Sequence, residues 1–171
     1  MRRRLLLILS LIAAAAAPAA EPFRKNSIVL LQPMAMLERR AEVNPLSEYI
    51  LALQASAERF TATLQDKSSR NGFIVFATRP DKSVKVWLDF KPDLPAEESL
   101  ALISQLEAVA ACPVREGTVV VALNVSTWPQ GDPLPTMAMP APKEWLEAVK
   151  GQDSVEVTQL VDSIWPPKAV E

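Results

Sequence analysis

The chain has 171 residues, with 18 Lys and Arg against 20 Asp and Glu, a formal net charge of −2, and no histidine. A slightly acidic chain lacks the basic surface that nucleic-acid binding needs, so we expect no nucleic-acid partner. The absence of histidine excludes catalytic dyads and triads that use an imidazole base, and metal sites with imidazole ligands.

The first twenty residues have the pattern of a cleavable bacterial secretory signal. Arg2 to Arg4 form a basic start, Leu5 to Ala17 form an almost uninterrupted apolar run, and small residues allow cleavage after Ala19 or Ala20. A retained membrane anchor is the alternative, but thirteen apolar residues fall short of the about 20 that a spanning helix needs. We therefore expect a periplasmic or secreted protein without a membrane anchor after cleavage, and the signal does not distinguish these two locations.

Removal of residues 1–20 makes the remaining chain more acidic. Three of the eighteen basic residues lie in the signal, so the remaining 151 residues carry 15 basic and 20 acidic side chains, a net charge near −5. That length predicts a single domain over residues 21–171. Cys112 is the only cysteine and follows the apolar sequence Val109-Ala110-Ala111. We expect no internal disulfide and a buried, inert thiol.

The first part of this domain predicts one short strand and one long helix. Residues 21–27 resemble a loose leader, Ile28 to Leu31 is a candidate strand, and residues 34–43 are ambiguous. Asn44-Pro45 predicts a helix start, with Asn as N-cap and Pro as the first helical residue. The apolar residues that follow recur at spacings of three and four, which predicts an amphipathic helix over 45–67. These apolar residues are Leu46, Ile50, Leu53, Ala57, Phe60 and Leu64.

Two β-prone runs come next. Phe73–Thr78 is continuous, Val84–Phe90 alternates apolar and polar residues, and the turn-forming residues 79–83 join them. This pattern predicts an antiparallel hairpin whose second strand has one buried face. The alternation places Trp87 beside Asp89 on the other face, which is solvated unless another element covers it.

A second helix and a third strong strand follow the hairpin. Glu97 and Glu98 fit the first turn of a helix over 95–110, where negative charge is favourable. Thr118–Ser126 is rich in β-branched residues and apolar on both faces. It therefore predicts a strand in the middle of a sheet.

The C-terminal part begins with a Pro-rich loop over 129–142, and five prolines lie between Trp128 and Pro142. Residues 141–150 predict a short helix that ends at Gly151. The segment 154–164 fits a helix or a strand.

Together these elements predict one α+β domain with an antiparallel sheet of three or four strands. The helices over 45–67 and 95–110 would pack on one face of the sheet. The Pro-rich loop and one or more short C-terminal helices would cover an edge or an end of it.

The region from Gly72 to Trp128 resembles a known family. Its predicted order is strand, strand, helix, strand, and the last strand follows the sequence Cys112-Pro113-Val114-Arg115-Glu116-Gly117. This arrangement is similar to the C-terminal domain of TonB-type energy-transducing envelope proteins, in which a helix ends near a proline and a glycine precedes the last strand. Such transducers also carry an N-terminal anchor, a Pro-rich spacer and a Tyr-Pro signature that this sequence does not show. The resemblance therefore implies α+β topology in an envelope protein, and it does not imply energy transduction.

The residue types that carry cofactor binding or catalysis are sparse. The four glycines are widely spaced, so no glycine-rich phosphate loop is present and we expect no cofactor and no metal. Without histidine, a hydrolase would have to use carboxylates, Lys, Ser or Tyr, and Asp89 with Glu97 or Glu98 is the carboxylate pair that can be grouped. The same residues fit a solvated strand face and a helix start, which is the interpretation we favour.

The aromatic and methionine residues outside the predicted core suggest binding. Exposed tryptophans bind peptides or sugars, whereas buried ones attach connecting segments to a core. The four tryptophans are Trp87, Trp128, Trp145 and Trp165. As partner-binding residues we select Trp87, Trp128, Met137 and Met139, together with unpaired sheet edges. The sequence thus predicts an exported, non-catalytic protein that binds another envelope protein or a peptide. The alternative is a histidine-independent hydrolase of envelope polymers, and the oligomeric state is open.

Overall fold

The computed structural model describes residues 21–129, 139–152 and 154–167. The predicted secretory signal, Met137 and most of the Pro-rich loop lie outside these residues. The elements in chain order are β1 (Phe23–Leu30), α1 (Met34–Arg40), α2 (Val43–Thr63), β2 (Arg70–Thr78), β3 (Val84–Lys91), α3 (Ala96–Glu107), β4 (Val119–Thr127), α4 (Lys143–Ala148) and α5 (Val157–Ile164).

The four strands form one antiparallel sheet in the order β1-β4-β2-β3. β4 lies between β1 and β2, as its apolar residues on both faces predict, and all nine of its residues are buried. β2 and β3 form the predicted hairpin, with Thr78 opposite Val84. The prediction of a single α+β domain is confirmed. β1 and β3 are the two edge strands.

Helices α2 and α3 pack on one face of the sheet, which we call the first face. Leu53 and Ala57 of α2 and Leu106 of α3 are fully buried against strand residues such as Phe76 and Leu123. This confirms the prediction that the two longer helices share a face. Cys112 lies in the same core, as predicted, and burial raises the pKa of its thiol.

The second face of the sheet is also covered, which corrects two predictions. α4 and α5 supply Trp145, Leu160 and Val161 to a second core that includes Trp87. These helices therefore cover a face, and not an edge or an end. Trp87 and Asp89 are buried to the same extent as core residues, so another element does cover this face of β3, and the favoured interpretation of Asp89 as part of a solvated strand face is wrong. The sequence alternation reports polarity alone, and it does not show which element packs on the strand.

Several boundaries differ from the predicted ones. β1 begins at Phe23, so residues 21–27 do not form a loose leader. It pairs with β4 from its first residue, and the register shifts between Lys25 and Ser27. This bulge interrupts the period of two by which a strand is recognised. Residues 34–40 form a helix, and the ambiguous segment 154–164 contains one.

The start of α2 also differs from the predicted start. The helix begins at Val43, its N-cap is Glu42, and no side chain caps it. Asn44 is therefore not the N-cap, and Pro45 is the third helical residue. Proline is accepted there because the N–H groups of the first turn have no partner within the helix.

A buried arginine ties α5 to the sheet. Arg79 Nε donates to Thr118 Oγ1 at 3.1 Å, and its Nη2 lies 2.7 Å from Asp162 Oδ1. The guanidinium also stacks on the ring of Trp165, 3.8 Å from the ring centre. These contacts hold α5 over the end of β2, which explains how a short helix is kept on the second face.

Candidate binding groove at the β3 edge

The outer edge of β3 forms the floor of a groove of about 380 Å³ between α3 and the start of α4. β3 pairs with β2 on one side, and no strand among the described residues pairs with its other side. Because ligand sites are usually concave and unpaired strand edges bind extended chains, we name this feature the β3 groove and treat it as the candidate site.

The backbone of β3 directs hydrogen-bonding groups into the groove. The Val86 N–H donates to Glu107 Oε1 at 3.0 Å, so it points away from β2. In an antiparallel sheet both backbone groups of a residue point to the same side, and this side alternates along the strand. The N–H and C=O groups of Leu88 and Phe90 therefore also point outward, into the groove.

The wall formed by α3 is apolar. Leu100 is 68 % exposed and lines the groove together with half-buried Ile103 and Leu88. Leu102 and Leu106 are directed into the first-face core, so Leu100 is not needed for packing α3 on the sheet. An exposed leucine beside an unpaired strand edge provides apolar contact area for a partner.

The opposite wall is formed by Pro142 and the first residues of α4. Trp87 holds this wall, because its Nε1 donates to Glu144 Oε2 at 2.7 Å and its ring lies edge-to-face with Trp145, 5.6 Å between ring centres. Asp89 Oδ2 accepts a hydrogen bond from the Ala141 N–H at 2.8 Å. These contacts fix the entry to α4 over β3.

This second wall carries charges of both signs. Lys143 Nζ lies 2.7 Å from Asp93 Oδ2, and Lys91 Nζ lies 3.4 Å from Asp89 Oδ1. The hydrogen bond from Lys143 lowers the pKa of Asp93, and the same bond raises the pKa of Lys143. Lys85 also lines the groove. One wall is apolar and the other charged, which suits an extended segment with alternating apolar and polar side chains.

The predicted partner-binding residues do not form one exposed surface. Trp87 lies at the groove, but its ring is buried. Trp128 is also buried; its backbone N–H donates to the Pro22 carbonyl at 3.0 Å, and the Lys67 ammonium lies 5.0 Å from its ring centre. The structure therefore places Trp128 beside the start of β1 and not in the groove. Met139 is exposed, and Met137 lies outside the described residues.

The residues of the candidate carboxylate pair lie on different elements of the fold. Asp89 lies on the second face of the sheet, where it accepts from Ala141. Glu97 and Glu98 belong to the first turn of α3, which packs on the first face. Asp89 lines the β3 groove, and neither glutamate is among the residues that line it.

Sequence reasoning missed the groove residues that matter most. The sequence pattern places Leu100 with Ile103 and Leu106 on the apolar face of the helix predicted over 95–110, and neither Lys143 nor Glu107 gives a local signal. Glu107 is recognisable only once α3 is placed beside β3. The available clue to the apolar wall is Leu100 itself, which is apolar but lies apart from the buried residues Leu102 and Leu106 of the same helix.

Within the described ranges, no group of three or more His, Cys, Asp or Glu side chains is placed to hold a metal ion. No helix in those ranges is long and apolar enough to cross a membrane. No family model, curated protein or solved structure matches the chain. The resemblance to TonB-type domains therefore stays a hypothesis.

Proposed function

We propose that this chain is an exported, non-catalytic protein that binds an extended segment of another envelope protein, or a peptide, in the β3 groove. The observation that carries the proposal is the combination of an outward-pointing strand backbone at Leu88 and Phe90 with an exposed apolar wall at Leu100. A segment placed there would gain main-chain hydrogen bonds from β3 and apolar contact from α3.

The export part of the proposal rests on the N-terminal sequence. A basic start, an apolar run and small residues precede position 21. The first strand begins at Phe23, so cleavage after Ala19 or Ala20 would leave every described element intact. N-terminal sequencing of the protein recovered from the periplasm or the medium tests this part, and an uncleaved cytoplasmic chain would contradict it.

The binding part is tested by site-specific photocrosslinking in bacterial cells that express the chain. A photoreactive phenylalanine analogue replaces Leu100 in the groove or, as a matched control, Leu51 on α2, which is 59 % exposed and does not line the groove. We expect a discrete adduct from position 100 and none of that mass from position 51.

A second change separates groove binding from chance proximity. Leu88→Lys places a charge at the groove floor, and we expect it to abolish the adduct formed at position 100. Identical adducts from positions 100 and 51, or no adduct from position 100 under any growth condition, would overturn the proposed function.

A further inference from the structure

The other edge of the sheet is the outer side of β1, which is apolar and uncharged from Ile28 to Leu30. Ile28 is 42 % and Leu30 is 40 % exposed, although both belong to a strand of the main sheet. No charged residue occurs from Asn26 to Leu37, and Met34, beyond the end of the strand, is also exposed. A strand edge of this kind pairs readily with another strand unless something covers it. We call Ile28 and Leu30, with the backbone between Ser27 and Leu31, the β1 edge.

The register of the sheet shows which backbone groups the β1 edge offers. The backbone N–H and C=O of Val86 point away from β2. Those of its partner Phe76 therefore point toward β4, where they bond to Val121. Because the backbone groups of Val121 point toward β2, they do not bond to Leu30, its partner in β1. The N–H and C=O of Leu30 therefore point away from β4. The same alternation applies to Ile28. No strand of the described residues lies on this side of β1.

We propose that the β1 edge is the interface of a homodimer, in which β1 of one copy pairs antiparallel with β1 of a second copy. A two-fold axis through Val29 places Ile28 opposite Leu30 of the second copy, and Leu30 opposite its Ile28. Both residues point their backbone groups outward, so these two pairs are of the hydrogen-bonded type. The two sheets then join into one sheet of eight strands.

The side chains fit this arrangement. Ile28 and Leu30 lie on the first face, so the four side chains from two copies form one apolar cluster across the axis. A two-fold interface must be complementary to itself, which an uncharged apolar strand satisfies. A partner recognised by its charge would instead need charged residues on this edge, and the edge has none.

The bulge in β1 sets the length of the pairing. The register shift between Lys25 and Ser27 interrupts the strand before its two basic residues, Arg24 and Lys25. With the axis at Val29, Lys25 falls opposite Pro33 of the second copy. The basic residues of the two copies therefore do not face each other, and the pairing is confined to about five residues on each copy.

Sedimentation velocity of the purified protein, expressed as the full chain, tests the homodimer. We expect the wild type to sediment as a dimer that dissociates on dilution. Leu30→Lys buries two unpaired ammonium groups at the axis, and we expect it to weaken the dimer by roughly 100-fold or more. The matched control is Leu88→Lys on the other edge strand, which should leave the dimer unchanged.

A milder variant covers the case in which Leu30→Lys fails to fold. Ile28→Thr keeps a β-branched side chain and removes apolar area, and we expect roughly tenfold weaker association. A wild-type monomer at every concentration would overturn the homodimer, whether the edge is uncovered or binds a different protein. A dimer that resists both β1 variants, or one that Leu88→Lys dissociates, would place the interface elsewhere and overturn it equally.

Discussion

The two edges of this sheet are built differently, and the difference suggests different partners. β3 lies in a groove, carries Lys85, Asp89 and Lys91, and has one outward N–H already bonded to Glu107. β1 carries no charge between Asn26 and its end. Charged side chains, and backbone N–H groups already bonded to a side chain, protect a strand edge from indiscriminate pairing with other strands. The β3 edge is thus suited to a selected segment, and the β1 edge to its own copy.

The largest effect is expected on the side of β3. Trp145→Ala removes the ring that packs against Trp87 in the second core, and we expect a loss of about 4 kcal/mol in the free energy of unfolding, measured by urea denaturation. Leu146→Ala in the same helix is the control, because Leu146 is exposed. Equal losses from the two variants would show that α4 does not hold the groove wall.

The next effect concerns the pairing of β3 with β2. A Cβ added at Gly72 would lie 2.6 Å from the Phe90 Cα, so Gly72→Ala must push the two backbones apart. We expect a loss of about 2–3 kcal/mol, measured in the same way. Ser27→Ala on exposed β1 is the comparison and should change stability by less than about 0.5 kcal/mol. A neutral Gly72→Ala would contradict the close approach.

A smaller effect is expected from removing the side-chain acceptor of the Val86 N–H on the β3 edge. Glu107→Ala removes the acceptor of the Val86 N–H, and we expect faster amide exchange at Val86 and a loss of about 1 kcal/mol. Glu97→Ala, in the exposed first turn of α3, is the control. Unchanged exchange at Val86 would mean that Glu107 does not protect the edge.

The smallest effect is expected from the ion pair across the groove wall. Because Lys143 lowers the pKa of Asp93, the pair stabilises the fold above the ordinary aspartate pKa of 3.8. This contribution is lost as the pH falls below that value and Asp93 becomes protonated. Lys143→Met should therefore be slightly less stable than wild type at neutral pH. Thermal unfolding should show the gap closing in acid, and a gap that widens in acid would contradict the assignment.

The elements that depend on local pattern could be predicted from the sequence. The helix stripe from Leu46 to Leu64, the hairpin of β2 and β3 and the central β4 all follow from periodicity and β-branching. The burial of Trp87 could not be predicted, because it depends on α4, which lies more than fifty residues further along the chain. The start of β1 was hidden by its bulge.

The candidate site was predictable only in outline. The sequence indicated unpaired sheet edges and a role for the region around Trp87. The aromatic rings of this region are buried and pack in the core instead of contacting a partner. The groove depends on Leu100, Glu107 and the start of α4 meeting at one strand edge, and no spacing in the sequence shows that meeting. The charge difference between the two edges was present in the sequence, but it gained meaning only from the strand order.

Residue-resolved amide hydrogen exchange over a range of protein concentrations tests the difference between the edges most directly. As the concentration rises, we predict increasing protection of the Ile28 and Leu30 amides and unchanged protection of the Leu88 and Phe90 amides. Unchanged protection at Ile28 and Leu30 would contradict the assignment of the β1 edge to a second copy, and protection that grows with concentration at Leu88 and Phe90 would contradict the assignment of the β3 groove to another partner.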